Sequence, residues 1–89
     1  IFIIPLGEIN KSAALSMAAD VRRQGFTAEV AFGDRSLKGA MKGADKSGAR
    51  FVAVIGDSER ESGVIELKRM SDGTSISVKI GELQKVLEA

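Results

Sequence analysis

The chain has 89 residues, a formal net charge of +1, no cysteine and no histidine. This length predicts one domain with a single hydrophobic core. The missing residue types exclude a disulfide framework, thiol chemistry and acid–base catalysis by histidine, and the small net charge excludes an indiscriminate binder of polyanions.

The first half of the chain alternates between strand and helix patterns. Residues 1–6 are β-branched, aromatic and closed by a Pro-Leu-Gly breaker, which predicts the first strand. Asn10 is a candidate N-cap for the first helix, which we expect to end at Gly25. Residues 26–32 predict the second strand, and the apolar spacing from residue 37 predicts a second helix that ends near residue 47. Gly39 and Gly43 lie inside that helix, so either another backbone approaches closely there or the helix is weak.

The second half of the chain predicts a buried strand followed by a hairpin. Residues 50–55 predict the third strand, because residues 51–55 form a continuous apolar run that is typical of a strand buried on both faces. After a loop with room for one helical turn, residues 64–68 or 64–70 form the fourth strand. The pair Asp72-Gly73 indicates a hairpin turn. After it, residues 74–80 predict the fifth strand and residues 82–88 predict a closing helix. The order predicts an α/β fold with three parallel strands, an antiparallel fourth strand and helices on both faces.

Polar side chains follow the first and third strands. If the second and third strands flank the first on opposite sides, the carboxyl ends of the strands form a crevice that gathers Glu8, Asp57 and Glu59, with the loop of residues 33–35 on the same rim. No histidine activates a serine here, so we expect a binding site and no catalytic residues. The spacing of the carboxylates does not match a calcium loop, and the phosphate-loop and dinucleotide patterns are missing. We therefore expect neither a metal nor a nucleotide cofactor in this domain.

Glu59 has two interpretations that the sequence leaves open. It is a loop carboxylate that caps the following turn, or it accepts hydrogen bonds from base amino groups together with Lys68, nine positions later. Charge is also uneven along the chain. Residues 33–50 contain five basic and two acidic residues, whereas residues 57–72 contain three basic and five acidic ones. Unless these charges are only solvated surface, this asymmetry favours a selective polar partner.

Four stretches of the sequence together resemble a known family. These stretches are Phe2-Ile3-Ile4-Pro5-Leu6-Gly7, Val21-Arg22-Arg23-Gln24-Gly25-Phe26, Gly33-Asp34-Arg35-Ser36-Leu37-Lys38 with the segment 44–51, and Gly56-Asp57-Ser58-Glu59 with the segment 63–68. In this order and spacing they resemble the anticodon-binding domain of class IIa aminoacyl-tRNA synthetases, most of all the carboxyl-terminal domain of histidyl-tRNA synthetases. The resemblance covers essentially the whole chain, residues 1–89.

The resemblance implies both a fold and a function. The fold is a three-layer α/β/α arrangement whose five-stranded mixed sheet has the order 2-1-3-4-5 with strand 4 antiparallel. The function is to bind the anticodon loop of a tRNA, while a separate catalytic domain of the same chain uses ATP to activate the amino acid. The site residues that the resemblance implies are Glu59, Lys68, Asp34 and Arg35, and the crevice predicted above from the strand order adds Glu8. Some relatives have arginine in place of Lys68, and lysine lacks the forked guanidinium that forms two parallel hydrogen bonds. Contacts to phosphates would come from Lys38, Lys42 or Arg35.

Further expectations concern the whole protein. Because the chain starts at Ile1 within a strand pattern, we expect a fragment of a longer synthetase. The longest apolar runs are too short to cross a bilayer, so we expect no membrane contact. The absence of cysteine fits a reducing compartment, and we expect a cytoplasmic protein. The resemblance implies a homodimeric parent and a monomeric fragment. Two alternatives remain open, namely a protein-interaction or regulatory module that kept this fold without reading tRNA, and a binder of a small ligand.

Overall fold

The computed structural model describes residues 1–31 and 37–88 and shows four helices and five strands within them. The strands are β1 (Phe2–Pro5), β2 (Glu29–Val30), β3 (Phe51–Ile55), β4 (Val64–Arg69) and β5 (Ser75–Lys79). The helices are α1 (Lys11–Arg23), α2 (Leu37–Ser47), α3 (Asp57–Ser62) and α4 (Leu83–Leu87), and 3-10 turns precede α1 at Glu8–Asn10 and α4 at Ile80–Glu82.

The five strands form one mixed sheet in the order β2-β1-β3-β4-β5. β1 pairs in parallel with both β2 and β3, whereas β4 is antiparallel to β3 and to β5. The predicted fold class and strand order are therefore confirmed. The carboxyl ends of the three parallel strands meet at one edge of the sheet, as the prediction of a crevice requires.

The two faces of the sheet are covered unequally. Helices α1 and α4 pack on one face and enclose the larger core, in which Ile3, Ile55 and Leu67 are fully buried. Helix α2 packs on the other face with its buried alanines, Ala40 and Ala44, against β1 and β3. On that second face β4 and β5 present exposed polar side chains to solvent, at positions 66, 68, 75 and 77.

The hairpin between β4 and β5 turns where the sequence predicted it. Gly73 has a φ of +76°, a left-handed conformation that glycine adopts without strain. The Asp72 carboxylate accepts a hydrogen bond from the backbone N–H of Thr74 at 3.0 Å and another from its hydroxyl at 2.8 Å. The alternation of Ser75, Ile76, Ser77 and Val78 between exposed and half-buried positions is also as predicted.

Several predicted elements are shorter in the structure, among them the first strand, predicted over residues 1–6, and the third, predicted over residues 50–55. The second strand, predicted over residues 26–32, comprises only Glu29–Val30 among the described residues. The backbone N–H of Phe26 donates to the Val21 carbonyl at 3.2 Å, so Phe26 still belongs to the turn after α1. The fifth strand ends at Lys79, one residue early, and the closing helix begins at Leu83 because the 3-10 turn Ile80–Glu82 occupies the start of its predicted range.

Asn10 does not cap α1 as predicted. It occupies the N-cap position, but its side chain forms no capping hydrogen bond, and the residue is 1% exposed. Its side-chain amide donates to the Leu6 carbonyl at 2.7 Å and to the Asp57 carboxylate at 2.9 Å, and its side-chain carbonyl accepts from the Arg60 guanidinium at 2.9 Å. Asn10 therefore joins the segment after β1 to α3.

Candidate functional site

The candidate site is a cavity of about 360 Å³ on the sheet face that α2 covers only in part. Its lining consists of side chains from α2, α3 and the three strands β3, β4 and β5: Met41, Val52, Val54, Glu59, Val64, Glu66, Lys68 and Ser75. Valines form an apolar floor, and the polar groups of Glu59, Glu66, Lys68 and Ser75 stand around it. An apolar surface with a few polar groups around it is the usual chemistry of a site that binds a small group.

Glu59 is held at this cavity by the start of α3. One carboxylate oxygen, Oε1, accepts a hydrogen bond from the backbone N–H of Gly56 at 2.7 Å, and Oε2 accepts from the Ser58 hydroxyl at 2.9 Å. The first of these bonds is half of a capping box, since Gly56 has no side chain to return the second half. The capping interpretation of Glu59 therefore has a geometric basis, and the cap fixes where the carboxylate lies.

These hydrogen bonds also set the charge of Glu59. The Gly56 N–H bond, followed by the Ser58 hydroxyl bond, stabilises the carboxylate and lowers the pKa of Glu59 below its ordinary value. The side chain is thus anionic at neutral pH. A carboxylate offers about four lone-pair positions, so two bonds within the domain leave acceptor capacity for a ligand.

Strand pairing places Lys68 on the same surface. Lys68 lies between Val52 on β3 and Ser75 on β5 in the register of the sheet, and its side chain is exposed. Within residues 1–31 and 37–88, no ion pair shorter than 4.0 Å joins Lys68 to Glu59 or to Glu66. The cavity therefore presents an acceptor and a donor that are not bonded to each other.

Two other residues predicted at the site, Glu8 and Asp57, do not line this cavity. Glu8 is in the 3-10 turn after β1, where its carboxylate is 2.8 Å from the Lys11 ammonium and 82% exposed, and it does not line the cavity. Asp34 and Arg35 lie outside the described residues. Asp57, predicted at the same rim, accepts from Asn10 and lies 3.7 Å from the Arg60 guanidinium, which gives it a structural role.

Two polar residues of the cavity were missed in the sequence. Glu66 lies two positions before Lys68 on the same strand, and the alternation of side chains along a strand places both on one face. Ser75 lies opposite Lys68 once the hairpin turn is fixed at residues 72–73. Both positions were therefore within reach of period-two reasoning.

The part of the chain that the structure describes contains neither a candidate metal site nor a membrane-spanning helix. No group of three or more histidine, cysteine, aspartate or glutamate side chains there could hold a metal ion. No helix there is long and apolar enough to cross a membrane.

Comparisons with known proteins agree with this architecture. A match to the anticodon binding domain family spans residues 1–89, so the chain belongs to the family of anticodon-binding domains. The chain is similar to the histidine–tRNA ligase of Saccharopolyspora erythraea, with 43% identity over 82 residues, and to that of Mycolicibacterium vanbaalenii, with 43% identity over 88 residues. These alignments cover 92% and 98% of this chain but only 20% and 21% of the two ligases.

Solved structures show the same likeness. The apo histidyl-tRNA synthetase of Staphylococcus aureus superimposes with a TM-score of 0.91 at 33% identity, over 99% of this chain and 23% of that one. The RNA-binding domain of threonyl-tRNA synthetase from Cryptosporidium parvum superimposes with a TM-score of 0.88 over 98% of this chain and 22% of that one. At 14% identity, that second likeness concerns the fold alone.

Proposed function

We propose that this chain binds the anticodon loop of a tRNA, as the anticodon-binding domain of a histidine–tRNA ligase. Family membership and the named relatives support this proposal, and the chain spans about one fifth of the length of those ligases. On this proposal, amino-acid activation with ATP belongs to a catalytic domain of the parent chain, and this domain itself is not catalytic and needs no cofactor. A cytoplasmic location, a homodimeric parent and a monomeric isolated domain belong to the same proposal.

The observation that carries the proposal is that Glu59 and Lys68 line one open cavity above a floor of valines. A carboxylate accepts hydrogen bonds from exocyclic amino groups of bases, and an ammonium group donates to base carbonyls, ring nitrogens or phosphates. Proteins read single-stranded RNA loops through such hydrogen bonds to bases that have left the stack. Of the valines in the floor, Val64 is 41% exposed and Val54 is partly exposed, so the floor offers the flat face of such a base an apolar surface.

The experiment compares two carboxylates of the same short helix. Glu59→Gln removes the charge at the cavity, whereas Glu61→Gln is the matched control because Glu61 is exposed and does not line the cavity. We expect Glu59→Gln to weaken binding of a fluorescently labelled histidine-tRNA anticodon stem-loop by roughly 5- to 150-fold, which corresponds to about 1–3 kcal/mol for one base contact. Glu61→Gln should bind as the wild type does.

A stem-loop with an unchanged stem but a different anticodon completes the design. The wild type should prefer the histidine anticodon, and Glu59→Gln should reduce that preference and not merely the affinity. Equal affinity for the two RNAs in the wild type would contradict anticodon reading. In the parent ligase, Glu59→Ala should lower tRNA charging and leave amino-acid activation unchanged.

A further inference from the structure

Helix α2 carries a row of lysines on its exposed side. Lys38, Lys42 and Lys46 recur at every fourth position, and all three side chains are exposed. A helix rises 1.5 Å per residue, so neighbouring lysines of this lysine ridge are about 6 Å apart along the axis and the whole ridge is about 12 Å long. Within the described residues, none of the three lysines takes part in an ion pair shorter than 4.0 Å.

The lysine ridge is unfavourable for folding. Like charges four residues apart repel each other on a helix, and α2 also contains Gly39 and Gly43, which weaken a helix relative to alanine. Asp45 is the one acidic residue of the helix, so α2 carries three positive charges and one negative charge. The core contacts of the helix lie on its opposite side, where Ala40 and Ala44 are buried, so among the described residues the ridge is not part of the core.

The ridge has a defined position relative to the cavity. α2 follows β2, whose carboxyl end lies at the same edge of the sheet as those of β1 and β3 because the three strands are parallel. Lys38 is therefore the ridge residue nearest to that edge and Lys46 the farthest from it. Met41 of the same helix lines the cavity beside Glu59 and Lys68. An RNA strand that enters the cavity can thus continue along α2.

We propose that the lysine ridge binds successive phosphates of the tRNA strand whose loop occupies the cavity. This inference rests on the proposed function. A nucleic-acid strand carries one negative charge per nucleotide, so the three lysines of the ridge offer up to three phosphate contacts. The phosphates occupy the surface where the lysines repel one another, and binding releases counterions from the RNA.

The test is the salt dependence of binding. Lys42→Gln/Lys46→Gln removes two ridge charges, and Arg23→Gln/Lys85→Gln is the matched control, since it removes two exposed charges from α1 and α4 on the other face of the sheet. Each lost phosphate contact lowers the slope of log K against log salt by roughly 0.7. The magnitude of the slope should therefore be smaller by roughly 1.4 in the ridge variant than in the wild type. Between 50 and 200 mM salt, the factor by which the affinity falls should then be about seven times smaller for the ridge variant than for the wild type.

A variant of opposite sign excludes general damage. Asp45→Asn removes the carboxylate that lies three positions after Lys42, so it should strengthen RNA binding at low salt. Equal slope changes in the ridge variant and the control variant would overturn the proposed role of the ridge, even where Glu59→Gln still reduces the anticodon preference. If the ridge variant shows the expected change of slope but Glu59→Gln leaves RNA binding unchanged, the ridge proposal stands and anticodon reading through Glu59 is overturned. No RNA binding at millimolar protein, with binding of an acidic peptide instead, would overturn both.

Discussion

Replacement of Asn10 tests whether this buried amide is a junction between two segments or an ordinary helix cap. In the structure it connects the Leu6 carbonyl, the Asp57 carboxylate and the Arg60 guanidinium. Asn10→Ala removes all three hydrogen bonds, whereas Asn10→Asp keeps the shape of the side chain and replaces the donor with an anion. That anion would face the Leu6 carbonyl and the Asp57 carboxylate at the positions now 2.7 and 2.9 Å from the amide nitrogen.

The size of the effect follows from the partners. A neutral hydrogen bond contributes about 0.5–1.5 kcal/mol net and one to a charged group about 1.5–3 kcal/mol. The side chains of Asp57 and Arg60 are 70% and 37% exposed, so water replaces much of what they lose. We expect Asn10→Ala to lower the free energy of unfolding by about 2 kcal/mol, or the melting temperature by about 8–16 °C for a domain of this size.

Asn10→Asp distinguishes the two roles. Aspartate is among the best N-cap residues, so a capping role predicts a variant close to the wild type. The junction predicts a clear loss of stability at pH 7, because aspartate keeps the hydrogen bond from Arg60 but loses the two donated by the amide and places its charge beside the Asp57 carboxylate. The measurement is thermal and urea unfolding followed by circular dichroism, since the chain has neither tryptophan nor tyrosine, with Ser12→Ala as a control in the same helix. Asn10→Asp within about 0.5 kcal/mol of the wild type would refute the junction.

Two further predictions concern pH and backbone conformation. Hydrogen bonds from the Thr74 N–H and hydroxyl lower the pKa of Asp72, and the pKa of Glu59 is lowered as well. Both carboxylates therefore stabilise the fold at pH values above the ordinary carboxyl pKa of about 4. This contribution is lost as the pH falls through the lower pKa of each group in the folded state. The melting temperature should fall from pH 5 to pH 3, and less steeply in Asp72→Asn; parallel curves would contradict this. Gly63 ends α3 with a φ of +73° and has open space around it. Gly63→Ala should therefore lower the free energy of unfolding by about 1 kcal/mol through backbone strain alone. The control is Gly81→Ala, which should be neutral in the same unfolding assay because the φ of Gly81 is not left-handed.

The fold was readable from the sequence because its local signals agree with its topology. The apolar run of residues 51–55 predicted a central strand, and it is the strand that pairs with β1 on one side and β4 on the other. The second strand was overestimated because residues 26–28 have strand-like composition but pair with no strand, and the Phe26 N–H still donates to the Val21 carbonyl of α1. At a sheet edge, a partner of only four residues limits how far pairing extends.

The candidate site was readable only in part. Glu59 and Lys68 were singled out from spacing and resemblance, and the structure places them on one cavity. Asn10 shows why the rest was not readable. An asparagine before a helix has the same local pattern whether its side chain turns back to the helix or reaches Asp57, which lies 47 positions away in the chain. Contacts of that range depend on tertiary packing, which local propensity does not encode.

The connectivity of the sheet explains why the site exists. Parallel strands need a crossover helix, and the crossover from β2 to β3 places α2 over β1 and β3. The antiparallel steps from β3 to β4 and from β4 to β5 need only turns, so no crossover helix is required over those strands. Antiparallel strands also tolerate water on one face, which allows Lys68 to lie there beside the valine floor. On that face of the sheet, α2 covers β1 and β3 and leaves β4 and β5 uncovered. The cavity that contains Glu59 and Lys68 lies at this border, next to the helix that carries the lysine ridge.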